Sequence, residues 1–477
     1  MPEKIYDIAI IGSGPAGYTA AIRAGQWGLK ACLIEKDDKL GGTCLHVGCI
    51  PTKALLFNAE IYDHLKAAKE FGIEGINTPK LNWATIQQRK NKVVTKHTKG
   101  LEFLMRKNKV ETVQGYGRLT GPAKDGVHSM EVFSEGGGGA GGETTLIKAK
   151  NIILSTGSEA RMLPGLEPDS RVLTNIEILS LNSIPKSLII VGAGAVGVEF
   201  ASIYRSFDAE VTILEMLPRL VPVEDEDISK ELARAYRKRG INFFTGAKVD
   251  KVSKTKTGVS VNVTVEGKQQ TLEAEKILIA VGRKPNTENV GIEKTKIQLD
   301  RGFVKVNEWM QTNEPGVYAI GDIVAGLPQL AHSGMMAGIV AVAKIAGKPE
   351  KSIDPNKIPN CTYCEPQIGS VGLTEAKARE GGIEVKIGKF PFSANSKASI
   401  VGSHEGFVKV VADAKYEQIL GVHIIGPSAT DLIAESVAAM ELEATAQDLM
   451  WTIHPHPTLS EAMLDAANSV EGIAINI

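Results

Sequence analysis

Two copies of one short pattern, set 180 residues apart, constrain this chain more than anything else in it. Residues 5–11 (IYDIAII) form an apolar run of strand length. Gly12-Ser-Gly14-Pro-Ala-Gly17 follows, then an Ala-rich helical stretch, and residues 30–35 (KACLIE) read as a second strand ending on Glu35. The layout returns with SLIIV (187–191), the turn Gly192-Ala-Gly194-Ala-Val-Gly197, a helix through VEFASIYRSF and the strand AEVTILE ending on Glu215. Each first glycine lies 23 positions before its acidic residue. The expected fold class is α/β, with two Rossmann-like domains built on these repeats.

The spacing has a chemical reading. The first glycine, Gly12 or Gly192, permits the sharp turn out of the strand. The second, Gly14 or Gly194, lets backbone approach a pyrophosphate, and the third, Gly17 or Gly197, lets the helix pack against the sheet. A phosphate there sits at the positive end of the helix dipole. Glu35 and Glu215 are placed to accept bonds from ribose hydroxyls. One such turn can be only a turn. Two, each following a strand, opening a helix and ending in Glu, indicate two dinucleotides, for which FAD plus a nicotinamide cofactor is the common pairing. A carboxylate at 215 pairs with a free 2′-OH and repels a 2′-phosphate, which favours NAD over NADP. Arg219 is near enough to keep NADP open.

Five cysteines are too few to staple 477 residues, so a close pair points to catalysis or metal binding rather than scaffolding. Cys44 and Cys49 lie in GGTCLHVGCIPTK (41–53). Five residues of regular helix rise about 7.5 Å, more than the ~4.4–6.8 Å between the Cα atoms of a disulfide. A bridge therefore requires a break in the helix, and Gly48 is the natural place for it. Alone, a C-x₄-C reads as a buried reduced pair or a static bridge. Directly after a dinucleotide unit it reads as a redox pair beside an electron source.

These residues resemble the redox signature of the pyridine nucleotide–disulfide oxidoreductases, and the resemblance runs along nearly the whole chain. It implies that Cys49 lies against the flavin as a thiolate and that Cys44 is the interchange thiol. It implies that Lys53 stands near the flavin, paired with Glu199, although Lys53 also suits a surface helix start. Further cofactor contacts are implied for Gly42, Thr43, Gly117, Thr156, Gly157, Gly282, Asp322, Ala331 and His332, with Asp322 on the ribityl chain. The domains expected are 1–155 for FAD and the redox pair, 156–282 for NAD, 283–353 as a central domain completing the FAD site, and 354–477 as an α+β interface domain for dimerisation. Strand-to-turn junctions at 151–158, 276–282 and 317–323 fit this plan, and GGGGAGG (136–142) reads as a solvent-exposed hairpin tip.

A thiol must lose its proton before it attacks a disulfide, and a neutral histidine is a suitable base near pH 7. His454-Pro-His456-Pro-Thr-Leu-Ser-Glu461 could be only a capped Pro-rich turn. With the cysteines present it resembles the family's catalytic His and Glu. His456 is then the base, Glu461 its orienting carboxylate, and His454 either structural or a support behind the base. The resemblance implies that the base comes from the partner subunit of a homodimer. Cys361-Thr-Tyr-Cys364 departs from the family pattern and lacks further ligands for zinc, so it reads as an ordinary reduced pair. No metal is expected, and Cys32 reads as core.

The activity implied is oxidation of protein-bound dihydrolipoamide through a disulfide and FAD, with reduction of NAD⁺. Lipoyl domains and acyltransferase subunits of 2-oxo acid dehydrogenase complexes, or a glycine-cleavage carrier, are the partners implied. The rivals are an NAD(P)H-dependent reductase of another disulfide and an assembly subunit that holds FAD structurally. A net charge of −1 argues against broad attraction to nucleic acid or anionic membrane, and no apolar run reaches about 18 residues. The N-terminus shows no targeting pattern, so a cytoplasmic protein is expected, and a matured organelle protein would read the same way.

Overall fold

The computed structural model describes residues 4–76, 79–134, 144–349 and 351–477. The glycine tract 136–142 lies outside them. The chain divides into two compact units. The first comprises residues 1–54, 87–160 and 283–355, and the second 55–86, 161–282 and 356–477. The segment expected as a central domain, 283–353, thus belongs to the first unit.

The core of the first unit is a seven-stranded sheet. Its strands are β1 (Ile5–Ile11), β2 (Ala31–Glu35), β3 (Glu111–Gln114), β4 (Tyr116–Leu119), β5 (His128–Phe133) and β6 (Thr144–Leu154), in the order β3-β2-β1-β6-β5-β4. The strand Val317–Ala319 also pairs with β6. β1, β2, β3, β6 and Val317–Ala319 are parallel, while β5 pairs antiparallel with both β6 and β4. Ile8, Ala9 and Ile10 are fully buried, as a strand covered on both faces requires. α1 (Pro15–Gln26) packs its alanines against the helix Ala331–Ile345, where Gly334 and Gly338 lie against Ala16 and Ala20. The register aligns the strand ends. Ile11 sits opposite both Ile34 and Leu154, and Leu154 opposite Ala319. Four strand ends therefore reach one edge together, carrying Gly12, Glu35, the turn 155–157 and Asp322.

α2 (Gly42–Val47) and α3 (Cys49–Lys66) follow β2. They are separated by Gly48, at φ −142° and ψ −118°, which is the break that the cysteine spacing demanded.

The second unit repeats the parallel scheme. Asn242–Phe244, Glu210–Leu214, Ser187–Val191, Lys276–Ile279 and Val172–Leu173 form a five-stranded parallel sheet in that order. Val191 pairs with Leu214 as Ile11 pairs with Ile34, 180 residues earlier. Beyond residue 356 a five-stranded antiparallel sheet (360–362, 367–372, 419–426, 407–413, 385–391) carries the helices Ala429–Glu441 and Glu461–Val470. Among the described residues, no helix is long and apolar enough to cross a membrane.

A buried ionic cluster ties the helix Glu226–Lys238 to this second sheet. Lys409, 2% exposed, bonds Asp225 at 2.9 Å, Asp227 at 3.0 Å and Glu375 at 2.9 Å. Burial pushes the Asp225 and Asp227 carboxyls up, but the Lys409 ammonium outweighs it and holds both low. Its hydrogen bond also leads the lowering of Glu375. Removing the ammonium strands buried charge, so Lys409→Met is expected to cost about 3 kcal/mol at pH 7. A group with a depressed folded pKa stabilises above its unfolded value and ceases to do so as pH falls through the folded one. The difference between wild type and variant should therefore shrink below about pH 4. Denaturant melts of both proteins at several pH values check this.

Candidate functional site

The two glycine turns are built alike. Gly12 and Gly192 have φ of +101° and +104°, and a Cβ on either would meet the carbonyl of the neighbouring strand end, Ser155 O at 2.1 Å or Ala280 O at 2.3 Å. A Cβ on Gly17 or Gly197 would lie 1.9 Å from the carbonyl of that first glycine. On Gly14 and Gly194 it would meet nothing within 4 Å, so the middle of each turn faces open space. Both helices that begin there, α1 and Ala195–Ser206, have no side-chain cap and no acid in the first turn. Backbone N–H groups directed at open space suit a pyrophosphate.

The two acidic residues are oriented by the same device. Glu35 Oε2 accepts from Ser13 N (2.8 Å) and Ser13 Oγ (2.6 Å), and Oε1 from Asp37 N (3.0 Å). Glu215 Oε2 accepts from Ala193 N (2.6 Å) and Oε1 from Leu217 N (2.8 Å). Arg219, the cation that kept a 2′-phosphate open, donates instead to the carbonyls of Pro222 (2.9 Å) and Glu224 (3.3 Å).

The thiol segment is fastened to the first turn. Gly41 N donates to Ser13 O and Ser13 Oγ, each at 3.1 Å. Gly42 packs so closely that its Cβ would lie 2.8 Å from Gly14 Cα. Thr43 and Cys44 follow in α2, and Cys49 opens α3. Both cysteines are free thiols within hydrogen-bonding reach of each other. The neighbouring Cys49 thiol and burial push the Cys44 thiol well up, and the Lys53 ammonium acts the other way. Burial and the two thiols also raise the Tyr18 phenol of α1.

At the same sheet edge, Asp322 accepts from Ser158 Oγ (2.5 Å), which in turn accepts from Arg283 Nε (2.6 Å). Burial lowers the Arg283 guanidinium, while Asp322 and Cys49 favour its charge. Thr156 and Asn286 exchange two bonds, and Asn286 N donates to Gly157 O. Ser13, Ser158, Arg283 and Asn286 were not singled out by sequence reasoning. Only the glycines next to two of them in the chain, Gly157 before Ser158 and Gly282 before Arg283, signal their place. Gly117 lies on β4 against Ile11, and Ala331 and His332 open an uncapped helix in which Ser333 Oγ is buried without a partner. Gly282 has φ +104° and accepts from Arg161 N. Lys53 falls in the first unit. Glu199, buried in the second, accepts from Tyr363 N (2.9 Å).

The tail holds the expected pair. His456 Nδ1 lies 2.8 Å from Glu461 Oε1, and Glu461 Oε2 accepts from Thr458 N (2.8 Å). Burial pushes the Glu461 carboxyl up, but Thr458 N–H and His456 hold it below its ordinary value. The imidazole is 70% exposed, and Nε2 has no partner among the described residues. His454 is enclosed between Thr452 O (2.9 Å) and Glu435 Oε1 (2.7 Å), and the Glu435 bond raises its pKa. Cys361 and Cys364 turn to different partners, Thr430 O and Pro366 O. Cys32 is fully buried in β2. Among the described residues no three His, Cys, Asp or Glu converge on a metal position.

Two nucleotide turns, a thiol pair fastened to one of them and a carboxylate-oriented histidine define a flavin-linked thiol–disulfide redox protein. The chain belongs to the pyridine nucleotide-disulphide oxidoreductase family, whose model matches residues 6–338, with its dimerisation domain at 358–467. The family binds FAD and NAD, and the dimerisation domain makes the chain a homodimer. A protein named dihydrolipoyl dehydrogenase from Bacillus subtilis is 47% identical over 474 residues, 99% of each chain. One of the same name from Rhizobium etli is 44% identical over 482 residues, again 99% of each. LpdA from Mycobacterium tuberculosis superposes with a TM-score of 0.89 at 27% identity, covering 97% of this chain and 99% of its own. The HOCl-induced flavoprotein disulfide reductase RclA from Escherichia coli gives 0.83 at 26%, covering 97% and 99%.

The thiol geometry sets an expectation independent of substrate. Mild oxidation with diamide should remove two of the five thiols counted in the unfolded protein, and none in Cys49→Ser. Loss of a further pair would place Cys361 and Cys364 in a second bridge.

Proposed function

We propose that the chain oxidises protein-bound dihydrolipoamide to lipoamide and passes the electrons to NAD⁺. The observation that carries this is a pair of thiols held by Gly41 and Gly42 on a dinucleotide turn. The full-length likeness to proteins named dihydrolipoyl dehydrogenase supports the choice of substrate. When bound, FAD supplies a two-electron acceptor beside the thiols, and NAD⁺ carries the pair away as hydride. Gly12, Gly14, Gly17, Glu35, Gly42, Thr43, Thr156, Gly157 and Asp322 hold the flavin nucleotide. Gly192, Gly194, Gly197 and Glu215 hold NAD.

The chain's own residues handle sulfur and protons. His456, supplied by the second copy in the homodimer, removes a proton from the substrate dithiol, with Glu461 keeping Nδ1 occupied so that Nε2 is the basic atom. The substrate thiolate attacks Cys44 of the oxidised pair and releases Cys49 as thiolate. The second substrate thiol, deprotonated in turn, then displaces Cys44. Substrate leaves as the cyclic disulfide, and both protein sulfurs are reduced, so two electrons have entered the pair. Lipoyl-bearing acyltransferase subunits or a glycine-cleavage carrier present the dithiol, in the cytoplasm.

NADH formation by FAD-loaded protein with dihydrolipoamide and NAD⁺ tests this. Cys44→Ser should abolish it, and His456→Gln should lower it by about 10²–10⁴-fold, while both keep NADH-driven reduction of ferricyanide. A protein inert to dihydrolipoamide that reduces another disulfide from NADH would retain the family and sink this substrate. Arg219 is committed to backbone carbonyls rather than to a nucleotide phosphate. Glu215→Gln should raise the kcat/KM ratio of NADP⁺ to NAD⁺ about tenfold, near 1.4 kcal/mol. An unchanged ratio would place nicotinamide selection elsewhere.

A further inference from the structure

The outer face of α4 (Trp83–Lys107) carries a charge pattern that this reaction leaves unused. The inner face of that helix places Val94, Leu101 and Met105 in the core that also holds Leu45 and Ile50, the chain neighbours of Cys44 and Cys49. Arg89 donates to the carbonyl of Ala54 (3.5 Å), five residues beyond Cys49. The first turns of α4 therefore meet the helix that Cys49 opens.

Its exposed side presents Arg89, Lys92, Lys96, Lys99 and Arg106. Spacings of three, four, three and seven put all five on one stripe of a helix, roughly 26 Å long. Phe103, 56% exposed, falls within it. Glu102 is the one acidic residue of α4. Lys92, Lys96, Lys99 and Arg106 make no ion pair among the described residues, unlike the surface cations of the helix Glu226–Lys238, where Lys230 and Arg234 bond their own glutamates. Like charges at i, i+3 and i, i+4 repel one another, so the stripe is a face that opposite charge would complete. In a chain of net charge −1 it is a local segregation rather than a general property.

We infer that this stripe docks an acidic face of the protein domain that carries the dithiol. The inference rests on the dithiol oxidation proposed above. A dithiol tethered to a protein reaches Cys44 only if its carrier settles beside the thiol segment, and the stripe begins there. Phe103 offers an apolar contact within the charged row. Complementary charge at such a face acts mainly on encounter and fades with salt, whereas a small free dithiol has no use for it.

The test compares FAD-loaded wild type with Lys92→Glu/Lys96→Glu/Lys99→Glu on two substrates, free dihydrolipoamide and a reduced lipoylated domain of net negative charge. With the domain at low ionic strength, kcat/KM should fall about tenfold or more in the variant while kcat holds. Added salt should lower the wild-type value and leave the variant nearly unchanged. With free dihydrolipoamide the two proteins should agree within about twofold. The neutral set Lys92→Gln/Lys96→Gln/Lys99→Gln should give a smaller loss in the same direction and serves if the reversed set does not fold. Unchanged kinetics with the domain, or an equal loss on both substrates, overturns the inference. So does wild-type binding of a DNA duplex or phosphatidylglycerol vesicles that the variants lose while domain kinetics stay the same. Failure of wild type on free dihydrolipoamide itself is a separate result, and it removes the underlying reaction rather than the docking face.

Discussion

Backbone pressed against backbone at the end of the first sheet is the constraint on which the rest of the site depends. Gly12 lies against the Ser155 carbonyl, Gly17 against Gly12, and Gly42 against Gly14. None of these approaches leaves room for a Cβ, so each holds one chain segment directly against another. The thiol segment inherits its position from this stack. Ser13 joins the layers, since it bonds Glu35 through its amide and hydroxyl while accepting from Gly41. Positioning through rigid elements is what thiol exchange beside a bound cofactor requires, because misplacement of an ångström is costly in rate.

The His456–Glu461 pair is built on the opposite principle. Thr458, His456 and Glu461 form a local constellation at the start of one helix and need no distant support. Its imidazole stays exposed, with one nitrogen committed and the other turned to whatever covers it. The pair is thus already oriented before the two copies of the homodimer associate. His454, two residues away, shows the contrast. Enclosed and bonded on both nitrogens, it holds the turn in place.

Much of this was legible from spacing. The offset of 180 residues between the nucleotide units reappears in the strand register, and the distortion at Gly48 follows from the reach of a disulfide. Glu461 reaching back to His456 was also visible, because five residues across a turn into a helix start bring the two together. The Ser158–Asp322–Arg283 chain was not visible. Ser158 lies more than 100 residues from both partners, and no local pattern records that the short strands 158–160 and 283–285 pair.

The sequence by itself determined the two dinucleotide units, the thiol pair, the histidine with its carboxylate, and a preference for a free 2′-OH, because each is a relation among residues close in the chain. Only the tertiary structure decided that the strand Val317–Ala319 joins the first sheet and that Arg219 is withdrawn onto backbone carbonyls. It alone brought Arg89, at the head of the basic stripe of α4, onto the carbonyl of Ala54 in the helix that Cys49 opens. Those outcomes depend on which distant segments share a core, and that is set by the burial of apolar faces over the whole unit rather than by any local spacing.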